Sequence, residues 1–123
     1  MNDALTLGID AMDEKHDSFL EILNLIKISP KGDFLTLFNE MILHTKEHFS
    51  FEEQLMREHN FYGLQEHLQE HQKLLDEMHY FYERSKKMTM LGEDYIHNYA
   101  YEKFKWHVTH IDAQLAMFLK DNI

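Results

Sequence analysis

Residues 64–81 read LQEHLQEHQKLLDEMHYF. Leu64, His67, His71, Leu74, Met78 and Phe81 recur every three or four positions, the period of one face of an α-helix. That face is apolar except at its two histidines. An ionisable group facing a core is costly unless it is paired or bound to a metal. An i,i+4 histidine pair on an acidic helix is often merely solvated, so the neighbouring segments must decide.

The same construction recurs on either side. The first segment reads His16, Phe19, Leu23, Ile26, and the second reads Phe34, Phe38, Met41, Thr45, His48, Glu52, Leu55. The last reads Ile96, Ala100, Phe104, His107, Ile111, Leu115, Phe118, with Asp112 on its flank beside Val108 and Leu115. Seven metal-ligand residues thus lie on or beside apolar stripes: His16, His48, Glu52, His67, His71, His107 and Asp112. Spacings of four or five place the members of each pair about one helical turn apart. Glu53 sits off the stripe and reads as a surface carboxylate. His44, His59, His79, His97 and His110 read as ordinary polar or boundary histidines.

Ser29-Pro30-Lys31-Gly32-Asp33 is a strong break signal, Asn60 and Gly63 flank a second, and Gly92 suggests a third. Four amphipathic segments with short connections predict an all-α fold, an antiparallel up-down-up-down four-helix bundle formed by a single domain over residues 1–123. The helices are expected over roughly 13–28, 33–59, 62–88 and 93–120. Asp33 suits the cap of the second helix, and Glu93 and Asp94 suit the start of the fourth.

Residues equidistant from a turn lie at one height in an antiparallel hairpin. With turns centred near residues 31, 61 and 90, His16 faces the level of His48. That level faces His67 and His71, which in turn face His107 and Asp112, each to within about one turn. All seven are expected on one layer.

Five imidazoles and two carboxylates are too many for one tetrahedral zinc. They suit two first-row metals, with the carboxylates bridging. Imidazole favours iron, zinc, copper or nickel over calcium and magnesium. The Glu-x-x-His motifs of ferritin-like di-iron sites do not occur. The formal charge of -10 argues against nucleic-acid binding and against an anionic membrane surface. The absence of cysteine excludes disulfides, thiolate zinc, iron–sulfur clusters and cysteine nucleophiles. MNDALTLGID is not a typical signal peptide, and no stretch is apolar for long enough to span a bilayer, so a cytoplasmic location is expected.

Gly8-Ile9 followed by Met12-Asp13-Glu14-Lys15-His16, then His48-Phe49-Ser50-Phe51-Glu52-Glu53, His67-Leu68-Gln69-Glu70-His71 and His107 to Asp112 resemble the hemerythrin family, in particular bacterial hemerythrin-like domains. The order H…HxxxE…HxxxH…HxxxxD covers nearly the whole chain. The resemblance implies a non-haem di-iron centre (Fe2+/Fe3+) with an oxo or hydroxo bridge that binds O2 reversibly. His67, His71 and His107 would fill one iron and His16 and His48 the other. Glu52 and Asp112 would bridge, and the second iron would keep an open position. Phe19, Phe49, Phe104 and Val108 match the apolar residues that keep the O2 pocket dry. A second alignment, through Trp106 and His110-Ile111, would make His110 the ligand and put Leu115 at the bridging position. The His107–Asp112 frame keeps both ligands and is preferred.

The resemblance implies an O2-binding protein for carriage, storage or delivery, and not an enzyme. A stand-alone sensor of O2, iron or redox state is an alternative, although the chain leaves no room for a signalling module. A di-iron peroxidase or nitric-oxide-handling protein would need a proton donor or channel near the open iron. A histidine-rich metal buffer ranks last.

Overall fold

The computed structural model describes residues 5–121, and every regular element among them is helical. Helix α1 spans Asp10–Ile28, α2 Phe34–Glu58 and α3 Leu64–Lys87. The last part is divided into α4 (Thr89–Asn98), α5 (Ala100–Trp106), a π-helical turn (His107–Asp112) and α6 (Ala113–Asp121). α1 therefore begins earlier than the periodicity predicts, and the expected single fourth helix is interrupted at Tyr99 and again at His107.

Each break has a local cause. Ser29 is extended, with ψ 149°, as a residue before proline must be. Its hydroxyl donates to the Ile26 carbonyl at 2.8 Å and closes α1. Lys31–Asp33 then forms a 3-10 turn that leads into α2. Asp33 directly precedes α2, but its side chain makes no capping hydrogen bond, contrary to expectation. Between α2 and α3 the left-handed residue is Asn60, at φ 55°, while Gly63 stays at φ -91°.

The third break lies at Met88, which is extended at φ -148°, and not at Gly92. Gly92 is buried inside α4, so Glu93 and Asp94 lie beyond its first turn. A Cβ on Gly92 would overlap the Ser85 hydroxyl and stand 2.8 Å from the Ser85 Cβ and 3.0 Å from the Phe34 ring. The glycine serves the close approach of α4 to α3.

α2 packs against α1 and α3, α3 against α4, and α1 against α4. The stripes supply two apolar clusters. The larger includes Phe19, Leu23, Phe38, Met41, Met78, Ile96 and Phe104; the smaller holds Met12, Met56, Phe61, Leu115, Ala116 and Leu119. Burying each large apolar side chain contributes about 1.5–3 kcal/mol. In α1 and α2 the buried ionisable residues lie between the two clusters: His16 falls between Met12 and Phe19, and His48 and Glu52 between Met41 and Met56. Two dry layers thus enclose one ionisable layer.

Candidate metal centre

In α2, His48 and Glu52 are one turn apart, as are His67 and His71 in α3, so each pair shares a face. His107 and Asp112 need another device. At 3.6 residues per turn, a spacing of five would rotate Asp112 about 140° past a full turn, away from His107. The π-helical turn spans these two residues and widens the winding so that i and i+5 stack. The expectation that a spacing of five amounts to one α-helical turn is thereby corrected. His16 is held from outside α1. Gly8, at φ 85°, turns the arm so that the Leu7 and Gly8 amides donate to Asp13 at 2.8 and 3.1 Å. The Leu5 carbonyl then accepts from His16 Nδ1 at 3.1 Å.

All seven residues are at most 2% exposed and meet in one layer. Glu52 Oε2 lies 2.6 Å from His48 Nε2. Its Oε1 lies 3.1 Å from His67 Nε2 and 2.9 Å from His71 Nε2. Asp112 Oδ2 lies 3.1 Å from His16 Nε2. Its Oδ1 lies 3.1 Å from His67 Nε2 and 3.0 Å from His107 Nε2. Two donor groups result: Glu52, His67, His71, His107 and Asp112, and His16, His48, Glu52 and Asp112. Within each, the donor atoms lie within 4.8 Å of one another, and both carboxylates belong to both groups.

The contacts fit metal coordination better than proton sharing. His107 Nε2 and Asp112 Oδ1 are 3.0 Å apart and buried, yet neither has a partner in hydrogen-bond geometry. His16 Nδ1 faces a carbonyl, which can only accept, so that nitrogen carries the proton and Nε2 is left as donor. Five imidazoles with two shared carboxylates suit a pair of first-row metals.

The metal-free electrostatics show how far the cluster depends on compensating charge. Burial and the Asp112 charge push the Glu52 carboxyl up, but His48 and His67 hold it well below the usual range. Burial likewise opposes ionisation of Asp112, and His107, His16 and His67 outweigh it. His67 would be lowered by burial, yet the adjacent Asp112 and Glu52 carboxylates raise it to about 9. His16 is raised in the same way, against burial, mainly by Asp112. His71 is lowered, because burial outweighs its bond to Glu52.

His110 lies outside the cluster. It is exposed and stacked on Trp106 at 4.8 Å, with Nδ1 3.1 Å from the Trp106 carbonyl oxygen. Alanine at His107 is expected to cut bound iron sharply, whereas alanine at His110 leaves it near wild type; metal analysis of the two purified variants checks this. His44, His59, His79 and His97 also lie outside, half-buried or exposed. The four expected pocket residues are all buried. Phe104 stacks on Phe19 at 3.9 Å and meets the His16 ring edge-on at 5.7 Å. Phe49 stacks on His71 at 3.7 Å, within the five-donor group. Val108 joins the larger apolar cluster.

One residue of the site escaped the sequence reading. Glu53 is half-buried, and its Oε2 accepts from His71 Nδ1 at 3.1 Å. The available signal was its position one turn after Phe49, at the edge of the buried face.

A bacteriohemerythrin of Ralstonia nicotianae is 34% identical over 74 residues, which are 60% of this chain and 54% of that protein. A bacteriohemerythrin of Stenotrophomonas maltophilia is 33% identical over 60 residues, 46% of this chain and 39% of that protein. Over these stretches the chain is similar to bacteriohemerythrins. The match spans about half the length of these curated relatives or less. No family model and no solved structure matches the chain. Both relatives are bacteriohemerythrins, and the buried cluster in this chain groups residues that could hold a metal ion. Among the described residues, no helix is long and apolar enough to cross a membrane.

Proposed function

We propose that this chain forms one domain, an antiparallel up-down-up-down bundle in which α4, α5, the π turn and α6 serve as the fourth helix, and that it binds O2 reversibly at a di-iron centre. His67, His71 and His107 would hold one iron, and His16 and His48 the other, with Glu52, Asp112 and an oxo or hydroxo group as bridges. The observation that carries this reading is the inequality of the two donor groups, five residues against four sharing both carboxylates. The poorer group, around His16 and His48, has room for an exogenous ligand. Iron held by these residues would supply the redox chemistry that reversible O2 binding needs.

A cavity of about 110 Å³ adjoins that side, lined by Phe19, Thr45 and His48 and, at half-buried or exposed positions, by Lys15, His44 and Glu47. Phe19 and Phe104 shield the His16 ring from water. The Thr45 hydroxyl is committed to the Met41 carbonyl at 2.8 Å, so it offers no free proton to a bound molecule. The domain is accordingly read as a carrier, store or delivery protein and not an enzyme.

The test is the visible spectrum of iron-loaded protein, reduced without air and then exposed to O2. A colourless reduced form that gains charge-transfer bands and loses them when O2 is removed is the expected result. Irreversible conversion to a plain diferric spectrum would overturn reversible binding in favour of a sensor or a peroxide-handling enzyme.

A further inference from the structure

The ring nitrogens that face away from the cluster are not treated alike. The Nδ1 atoms of His48, His67 and His107 are buried and have no hydrogen-bond partner. His16 Nδ1 donates to a backbone carbonyl. His71 Nδ1 alone among the five meets a charged side chain, the Glu53 carboxylate at 3.1 Å. Glu53 is the residue after Glu52, so consecutive positions of α2 address opposite edges of one imidazole, with Glu52 Oε1 2.9 Å from Nε2. Phe49, one turn before Glu53, stacks flat on the same ring at 3.7 Å with 4° between planes. The His71 ring is thus fixed on its face and on both edges from α2, although it belongs to α3.

We propose that Glu53 is a positioning residue for the metal centre: by accepting the Nδ1–H of His71 it sets that ring's tautomer and orientation and strengthens Nε2 as a donor. A carboxylate behind a ligating imidazole raises its basicity, and removing such a partner commonly lowers metal affinity roughly 10–100-fold. Phe49 fixes the ring plane, but rotation within that plane is opposed only by the bonds at its two nitrogens. The inference rests on the reading of His71 as a ligand and does not depend on O2 chemistry. Glu53 is half-buried at the surface end of this chain of contacts, so it can be replaced without opening the core.

Cobalt(II) serves as the probe, because its absorption bands report ligand geometry and binding needs no O2. Wild type, Glu53→Gln, Glu53→Ala and, as a surface control on the same helix, Glu58→Gln are titrated with cobalt(II). The exchangeable His71 N–H is followed in the loaded proteins by proton NMR. The expected result is affinity about tenfold weaker for Glu53→Gln and weaker again for Glu53→Ala, with altered cobalt bands and faster N–H exchange. Glu58→Gln should match wild type. If both Glu53 variants bind as tightly as wild type with the same spectrum, while His71→Ala abolishes binding, the role of Glu53 is overturned and the metal site stands. If wild type itself binds no cobalt, the metal site falls and the role of Glu53 with it.

Discussion

Replacing Glu52 by alanine is expected to strip the protein of nearly all its iron. Glu52 is fully buried, and its two oxygens contact the Nε2 atoms of His48, His67 and His71. It is also common to both donor groups, so its loss weakens both metal positions at once. The effect should exceed the roughly 10–100-fold that removal of an outer hydrogen-bond partner costs. Without metal, the Nε2 atoms of His48 and His71 would also lose their acceptor, at about 1–3 kcal/mol each, while His67 would keep Asp112. Bound iron per chain after desalting, with helicity followed by circular dichroism, measures both effects. Glu52→Gln preserves the shape and removes the charge, which separates loss of the bridge from loss of packing. Unchanged iron in either variant would contradict a shared carboxylate.

Removal of the metal is expected to destabilise the fold, and increasingly so as the pH rises. In the metal-free protein Glu52 and Asp112 have lowered pKa values. Their contribution is present above the ordinary carboxylate range and is lost as the pH falls through their folded values. His67 is raised from 6.5 to about 9, so its contribution is complete below pH 6.5 and disappears as the pH rises toward 9. His16 has the same sign. His71 has the opposite sign, costing stability below 6.5, where the unfolded chain would protonate it. The His67 contribution alone is on the order of 3 kcal/mol. Metal binding requires deprotonated imidazole and therefore strengthens over the same interval. The melting temperatures of iron-loaded and chelator-treated protein should diverge by on the order of 10 °C between about pH 6 and about pH 9. A gap that stays constant with pH would contradict this.

Much of this architecture was legible because it depends on spacing alone. Stripes of His16, Phe19, Leu23 and Ile26, and of Leu64, His67, His71, Leu74 and Met78, need only the 3.6-residue period. The convergence of seven side chains follows from rise per residue and turn position. What escaped depended on contacts between segments. Gly92 resembles a breaker by propensity, and only the Ser85 and Phe34 side chains across the interface reveal it as a point of close approach. Glu53 resembles a solvated carboxylate until the edge of the His71 ring is seen beside it. His107 and Asp112 were paired correctly in space by a spacing that an α-helix does not support, because the local winding is a tertiary property.

That winding has a consequence for how this chain tolerates change. A π turn is in effect one residue inserted into a helix, and it leaves the halves on either side about 100° out of phase. Phe104 and Val108 belong to one apolar cluster, whereas Leu115, Ala116 and Leu119 belong to the other. The ionisable layer sits on this dislocation. A deletion that healed it would turn the nine residues of α6 away from their cluster while it drew Asp112 away from His107. The packing of the chain's last turns and the geometry of the shared carboxylate are therefore a single inherited register, set by one extra residue.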